Sequence, residues 1–401
     1  MSTEVVIVGG ARTPMCEYSG TPGYGKLKNI SALDLGAHAA KAAVSRSGVD
    51  PESVEHVVVG NALQTSIDAI YGARHVALKA GLGEPVPALT VNRLCGSGIQ
   101  SVVNAAQMIQ LGEAGTVLAG GMESMSQAPF VLYGGREGFR FGTTPELQDS
   151  LFGALTDPLA GLMMAQTAEK VAGRLGITRQ SQDEFALRSH QLGAAAVSEG
   201  RFAEEIEPVV IPGRRGDTVI DTDDHIKPDT TIEGLSKLRA AFGKDGTVTA
   251  GNASGIVDGA AAVMVTNGDR ARADGLDHWA TIRSYASVGV DPTEMGLGPV
   301  PAIRACLERA GVALDEVDLF EINEAFSAQY LGCEKELGLD RDKVNVNGGA
   351  VSLGHPLGAT GTRLVLTLMQ ELRRRGARLG VASACIGGGQ GIAILIENPQ
   401  A

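Results

Sequence analysis

The chain repeats itself, and this limits its fold more than any other feature. Gly48 to Ala62 (GVDPESVEHVVVGNA) parallels Gly311 to Ala325 (GVALDEVDLFEINEA). Val91-Asn92 parallels Val346-Asn347, and Gly112 to Gly121 (GEAGTVLAGG) parallels Gly376 to Cys385 (GARLGVASAC). The three pairs keep one order and a nearly constant interval of about 255 to 264 residues, as two copies of one unit do. Helical stretches alternate with apolar strand-like runs, so the unit is α/β. Two such units are expected to pack face to face, with strand ends meeting at a shared seam. Ligands of α/β sheets bind at the carboxyl ends of strands, so the chemistry should draw on both halves.

Local patterns fill in the unit. Val5 to Gly10 reads as a buried strand. Ser31 to Ser47 reads as a helix with Leu33, Ala37, Ala40 and Val44 on one face. Val54 to Val59 and Thr116 to Ala119 read as strands, and Tyr71 to Ala80 as a helix. A short extended segment, Ala88 to Val91, leads into a turn at Cys95. The helix after it places Ile99, Val102, Val103, Ala106 and Ile109 on its apolar face. Near Ser126 the pattern changes. Tyr133 to Gly142 is turn-rich, Leu159 to Leu175 reads as a helix, and Ser181 to Glu199 reads as another with a Ser181/Glu184 capping box. Regular α/β patterning resumes at Thr247. The expected division is a first half at 1–125 and 250–277, an inserted loop domain at 126–249, and a second half at 278–401. Gly9-Gly10-Ala11-Arg12-Thr13-Pro14 follows the first strand but is not a dinucleotide fingerprint, because the third glycine is missing and Pro14 intrudes.

Length and composition narrow the function. A chain of 401 residues exceeds one core of usual size. Glycine is abundant, at 54 residues, and aromatics are scarce, at 4%, which suits closely packed backbones. The formal charge of −12 argues against a nucleic-acid partner. No apolar run approaches the ~18 residues that span a membrane. Five widely spaced cysteines form neither a disulfide framework nor a paired zinc motif. Met1-Ser2-Thr3-Glu4 carries no basic leader, and Asn398-Pro399-Gln400-Ala401 is not a peroxisomal address. A cytoplasmic location is expected.

Four side chains stand out. Cys95 sits in a turn before a helix N-terminus, where the helix dipole and free N–H groups favour a thiolate. Gly96 and Gly98 leave room there for another molecule. The bland alternative is a buried small hydrophobe. Asn323 ends a strand and either caps a helix or positions an oxyanion or water. His355 lies in the densest glycine run, Asn347 to Gly361, fixed by Pro356 and followed by a helix. It is either a packed histidine or a base for a thiol nucleophile. Cys385 ends a second strand and opens into Gly387-Gly388-Gly389, whose N–H groups suit an oxyanion. Cys306 and Cys333 lie in helical patterns and read as packing residues, and Cys16 has no reactive setting. A zinc site from Cys95, His355 and Cys385 lacks a fourth ligand and short spacing, so no metal is expected.

Together these motifs resemble the thiolases, over nearly the full length. Asn92 to Gly98 (NRLCGSG), Gly121 to Ser126 (GMESMS), Thr249 to Gly255 (TAGNASG), Asn323 to Phe326 (NEAF), Gly354 to Gly358 (GHPLG) and Cys385 to Gly389 (CIGGG) carry the likeness. The resemblance implies a thiolase fold of two duplicated βαβαβαββ halves, layered αβαβα, with the inserted loop domain binding coenzyme A. It implies a homodimer or homotetramer, with no bound cofactor and CoA thioesters as substrates. By the same resemblance, Cys95 takes up the acyl group as a thioester and His355 activates it. Asn323 holds a water at the oxygen of the second thioester. Cys385 moves a proton on the acetyl α-carbon, and the N–H groups of Cys95 and Gly387 form an oxyanion hole. Ser254 contacts the pantetheine arm, with Ala250, Phe242, Met164, Ile256 and Phe326 along the tunnel and Met163 near the acyl pocket. Lys227, and beyond it Lys237, Arg239 and Lys244, are candidates for the nucleotide. Met163 stands where acetoacetyl-specific relatives carry a histidine. Ser66 to Val76 and Thr230 to Glu233 look more like the mitochondrial-type 3-ketoacyl-CoA thiolases. A flexible methionine tolerates varied chains, so a broad acyl range including acetoacetyl-CoA is expected. Condensing ketoacyl synthases share the Cys nucleophile but lack the Cys385 run, and a non-catalytic acyl-CoA-binding protein would not need all four residues.

Overall fold

The computed structural model describes residues 3–243 and 245–401. In chain order the first half runs β1 (Val5–Arg12), α1 (Ala32–Ser47), β2 (His56–Gly60), α2 (Gly72–Lys79), β3 (Ala88–Val91), α3 (Ser97–Leu111) and β4 (Thr116–Glu123). The inserted region contributes α4 (Met164–Leu175) and α5 (Arg179–Ser198). Then come β5 (Val257–Asn267), β6 (Ala280–Gly289), α6 (Pro299–Ala310), β7 (Leu319–Ile322), α7 (Ser327–Leu337), α8 (Leu357–Arg375), β8 (Leu379–Ile386) and β9 (Gln390–Glu397).

The repeat seen in the sequence is a repeat of helix stops. Gly48 and Gly311 end α1 and α6 in the left-handed region (φ 71° and 65°), which glycine adopts without a Cβ penalty. A single 3₁₀ turn and a strand follow in each half, Pro51–Ser53 before β2 and Leu314–Glu316 before β7. Gly112 and Gly376 end α3 and α8 the same way, before β4 and β8. The Val91/Val346 pair is unequal. Val91 ends strand β3, whereas Val346 makes only an isolated bridge, to Gly348.

The first sheet has the order β3-β2-β4-β5-β1, and the second β7-β8-β9-β6. They join along β1 and β6 by two residue pairs only, Val6 with Thr281 and Ile7 with Ala280. Three cores separate the layers. Leu33, Ala40 and Val76 of α1 and α2 pack on the outer face of the first sheet. Ile99 and Val102 of α3 and Leu366 and Met369 of α8 fill the space between the sheets, against Val58, Val263 and Ile394. Val300 and Ile303 of α6 and Tyr330 of α7 cover the second sheet's outer face. The stack is αβαβα, the thiolase fold. The halves meet through the two central helices. Gly98 and Gly361 allow this, since a Cβ on Gly98 falls 2.3 Å from Thr362 N and one on Gly361 falls 2.3 Å from Ile99 N.

The inserted region departs from two expectations. The first helix starts at Met164, not Leu159. Asp157 Oδ1 accepts from the amides of Leu159 and Ala160, which makes a turn, and Leu162-Met163 pairs back on Thr156-Asp157 as a hairpin. The second helix starts at Arg179. Thr178 is its cap, accepting from the Ser181 amide, so Ser181 lies inside the first turn. The Gly9-Gly10-Ala11-Arg12 motif has a structural use here. Arg12 is fully buried, pairs with Glu205 and Asp223 of the insert at 2.7 Å each, and lies over the Phe202 ring. No helix among the described residues is long and apolar enough to cross a membrane.

Candidate active site

The Cys95 turn is held in an uncommon backbone shape. Leu94 has φ 46°, which costs energy for a side chain bearing Cγ branches unless its surroundings fix it. Here Leu94 N donates to Asn92 Oδ1 (2.9 Å), Arg93 N donates to Ser97 Oγ (2.8 Å), and Ser97 Oγ donates to Leu94 O (2.7 Å). Sequence reasoning missed Leu94, because nothing in a leucine announces a left-handed residue. The room beside the glycines is taken by the other half. A Cβ on Gly96 falls 2.5 Å from Ile386 Cδ1 and one on Gly98 meets α8. These glycines admit protein, not a ligand, and Arg93 ties the turn to Gln390 across the seam at 2.8 Å.

The expected thiolate is also corrected. Burial pushes the Cys95 thiol up to about 11, and the N–H groups of Gly387 and of Cys95 itself, both aimed at the sulfur, pull it down by less. Desolvation exceeds the help from the helix start. Alkylation of Cys95 by iodoacetamide in the unliganded protein is therefore expected to rise about tenfold per pH unit from pH 7 to 9. Levelling of that rate below pH 8, followed by mass spectrometry of the Cys95 peptide, would contradict a raised thiol.

The other three residues come from the second half. Asn323 follows β7 directly and is not a helix cap, since α7 begins four residues later. Its Nδ2 lies 3.3 Å from His355 Nε2, and its Oδ1 is buried with no hydrogen-bond partner among the described residues. Asn345, itself left-handed at φ 48°, clamps the end of β7 by bonding both Ile322 N and Ile322 O. Glu324 takes bonds from Ser189, Asn345 and the Val351 amide, which locks the strand end to α5. His355 is held by its own amide, which donates to Gly255 O (2.9 Å), while Ser254 N donates to Ala325 O (3.0 Å). Burial, and then the nearby Arg363, drive the imidazole down to about 3, so it is neutral at pH 7. Cys385 is fully buried at the end of β8. Burial, and then proximity to Cys95, lift its thiol well above the ordinary value. Glu123 joins the halves at this point. Its carboxylate accepts from Asn61, Ala62 and Leu63 and from Gly358 N (2.8 Å) at the start of α8.

A cleft opens beside His355. Met163, Met164, Phe242, Ser254, Ile256 and Phe326 line it, together with His355. Met164 reaches Gly387, since a Cβ there would lie 3.2 Å from its sulfur. Ala250 and Lys227 are exposed and do not line the cleft, and Lys237 and Arg239 are exposed as well. Lys244 lies outside the described residues. Met125, Leu155 and Leu357 also line the cleft and were not anticipated. Met125 and Leu357 sit inside motifs already singled out, whereas Leu155 carries no signal of its own. Cys306 and Cys333 pack in the second outer core, and Cys16 in the first.

Two thiols, an imidazole and an amide drawn from both halves of a duplicated α/β fold define a cysteine-dependent acyltransferase of the thiolase type. The chain belongs to the thiolase family: the models of the thiolase N-terminal and C-terminal domains match residues 5–269 and 276–398. It is 49% identical to the mitochondrial 3-ketoacyl-CoA thiolase of Homo sapiens over 394 residues, 98% of each chain. It is 48% identical to the acetyl-CoA acetyltransferase of Cupriavidus necator over 397 residues, 99% of this chain and all of that one. The crystal structure of the human mitochondrial 3-ketoacyl-CoA thiolase in complex with CoA superposes with a TM-score of 0.95 at 49% identity, covering 99% of this chain and 98% of the other.

Proposed function

We propose that this thiolase cleaves 3-ketoacyl-CoA, acetoacetyl-CoA included, with free CoA, and runs the reverse condensation of acetyl-CoA, by a ping-pong route through acyl-Cys95. One observation carries the reading. Cys95 from the first half lies beside the Gly387 N–H and Cys385 of the second, and Met164, which reaches Gly387, lines one apolar cleft with His355, the partner of Asn323.

The free site holds a neutral thiol and a neutral imidazole. His355 takes the Cys95 proton as the sulfur attacks C3 of the 3-ketoacyl group, and the N–H groups of Cys95 and Gly387 hold the oxyanion. The C2–C3 bond then breaks. The enolate of acetyl-CoA takes the Cys385 proton at carbon, while protonated His355 and the Asn323 amide face its oxygen. Acetyl-CoA leaves, and CoA enters as a thiol. The His355 proton passes to the Cys385 thiolate, CoA gives its own proton to His355, its sulfur attacks the acyl group, and His355 passes that proton on to the departing Cys95. Both groups are then reset.

The apolar wall of Met125, Leu155, Met163 and Met164 supports a broad acyl range, since methionines repack at low cost. A narrower, acetoacetyl-specific enzyme is the second reading. Thiolysis rates against chain length separate the two, and a rate confined to the four-carbon substrate would favour the second. Incubation with acetyl-CoA or acetoacetyl-CoA is expected to add one acetyl group to the Cys95 peptide. Absence of both the adduct and CoA-dependent cleavage would overturn the reading. We also read the protein as a cytoplasmic homodimer or homotetramer. The family likeness and the exposure of Ile67, Ile70, Phe130 and Phe141 support self-association, and a monomer mass by light scattering would contradict it.

A further inference from the structure

Among the described residues, the His355 ring has one hydrogen-bonding side-chain neighbour at each nitrogen. Nδ1 lies 2.6 Å from Thr360 Oγ1, and Nε2 lies 3.3 Å from Asn323 Nδ2. Thr360 is in the first turn of α8, fully buried. Its hydroxyl also lies 3.0 Å from Pro356 O, which receives the amides of Ala359 and Thr360 at 2.9 Å as well. A neutral imidazole has one N–H and one lone pair, and its partners decide which nitrogen holds which.

Two proton arrangements suit these contacts. In the first, Thr360 turns its proton to Pro356 O and accepts from Nδ1–H. The Nε2 lone pair then faces the site and the Asn323 N–H. In the second, Thr360 donates to Nδ1, and Nε2 carries the proton. That proton points at another donor unless the Asn323 amide turns over, and the ring has no lone pair left for a thiol proton. A proton acceptor at Nε2 requires the first arrangement. The first arrangement also serves the protonated ring, because Thr360 goes on accepting from Nδ1–H. No carboxylate bonds either ring nitrogen among the described residues, so this hydroxyl is the group that settles the ring.

We propose that Thr360 is a positioning residue, whose hydroxyl, anchored on Pro356 O, fixes His355 in the Nδ1–H tautomer and turns the Nε2 lone pair to the reacting thiol. The step rests on the reading of His355 as the base. Removing the acceptor at Nδ1 frees the ring to hold the proton at either nitrogen and to rotate.

The test uses the full-length enzyme labelled with ¹⁵N-histidine, with the His355 signals assigned by their loss in His355→Asn. Long-range proton–nitrogen spectra at pH 7 are expected to show a protonated Nδ1 and an unprotonated Nε2. A ring protonated at Nε2 overturns the proposal, whatever any variant does. Thr360→Val keeps the shape and removes the acceptor. Acylation of Cys95 is expected to slow about 10²-fold with KM little changed, and Thr360→Ser to recover to within about threefold of wild type. A Thr360→Val enzyme that acylates within about threefold of wild type also overturns it. If the valine variant does not fold, the wild-type spectrum and the serine variant still decide. His355→Asn acylating at the wild-type rate would refute the base itself, a different result from a wrong tautomer.

Discussion

Cys385→Ala is expected to accept an acetyl group on Cys95 from acetyl-CoA at a rate near wild type, and to lose carbon–carbon cleavage and formation by about 10³-fold or more. The split follows from the geometry. Transfer of the acetyl group to Cys95 breaks a C–S bond, and its proton passes through His355 alone. Breaking C2–C3 leaves a carbanion that needs a proton at carbon. Cys385 is the buried group beside Cys95 that carries one, since burial and its neighbour keep it a thiol far above neutral pH. Alanine fills the same shell with less volume, so the cost in stability is small: a buried sulfur lost among Met295, Ala325 and Met164. Acylation is read by mass on the Cys95 peptide and exchange by thiolysis of acetoacetyl-CoA. Equal loss of both would remove the separate role given to Cys385.

Three of the residues that carry this chemistry were visible in the sequence because Cys95, His355 and Cys385 sit in glycine-rich stretches, where a Cβ on Gly98, Gly354 or Gly391 would meet the neighbouring chain. Asn323 has no glycine beside it and was visible only as a polar residue ending a strand. The halves were visible through their glycines: the helix stops at Gly48, Gly311, Gly112 and Gly376 need left-handed backbone. What was not visible depends on the third dimension. The Cys95 thiol was read as lowered by its helix, yet desolvation by the second half raises it, and no local pattern reports burial. Gly96 and Gly98 were read as space for a ligand, because a sequence does not say what fills the gap a glycine leaves. The cap at Thr178 in place of Ser181 is a three-residue slip between two hydroxyls of equal local merit. Leu155 reaches the cleft only through the Thr156–Met163 hairpin, a pairing no period announces.

The duplicated positions also explain why the two halves are not alike, and they set the second large effect. Where the second half has Asn323, the first has Gly60; where the second has Cys385, the first has Gly121. The first-half glycines are required by what packs on them. A Cβ on Gly60 falls 2.7 Å from Ser97 Cβ, and one on Gly121 falls 1.9 Å from Gly358 O. Gly358 opens α8, three residues after His355, and has a like constraint, its own Cβ falling 2.5 Å from Met122 O. One half thus gives up its side chains so that the other can bring its base and thiol to Cys95. Gly121→Ala must therefore push α8 away, because the clash is with backbone and no rotamer relieves it. The expected cost is about 3 kcal/mol or more of stability. A shift of about 1 Å at His355 is expected to lower thiolysis about 10²-fold in the molecules that remain folded. Gly173→Ala in α4 is the control. Nothing lies within 4 Å of its Cβ, and it is expected to be neutral or to stabilise by about 0.5 kcal/mol. Thermal melts and thiolysis rates on the pair check the argument. A Gly121→Ala protein with wild-type melting and rate would mean that the halves do not depend on this contact to meet.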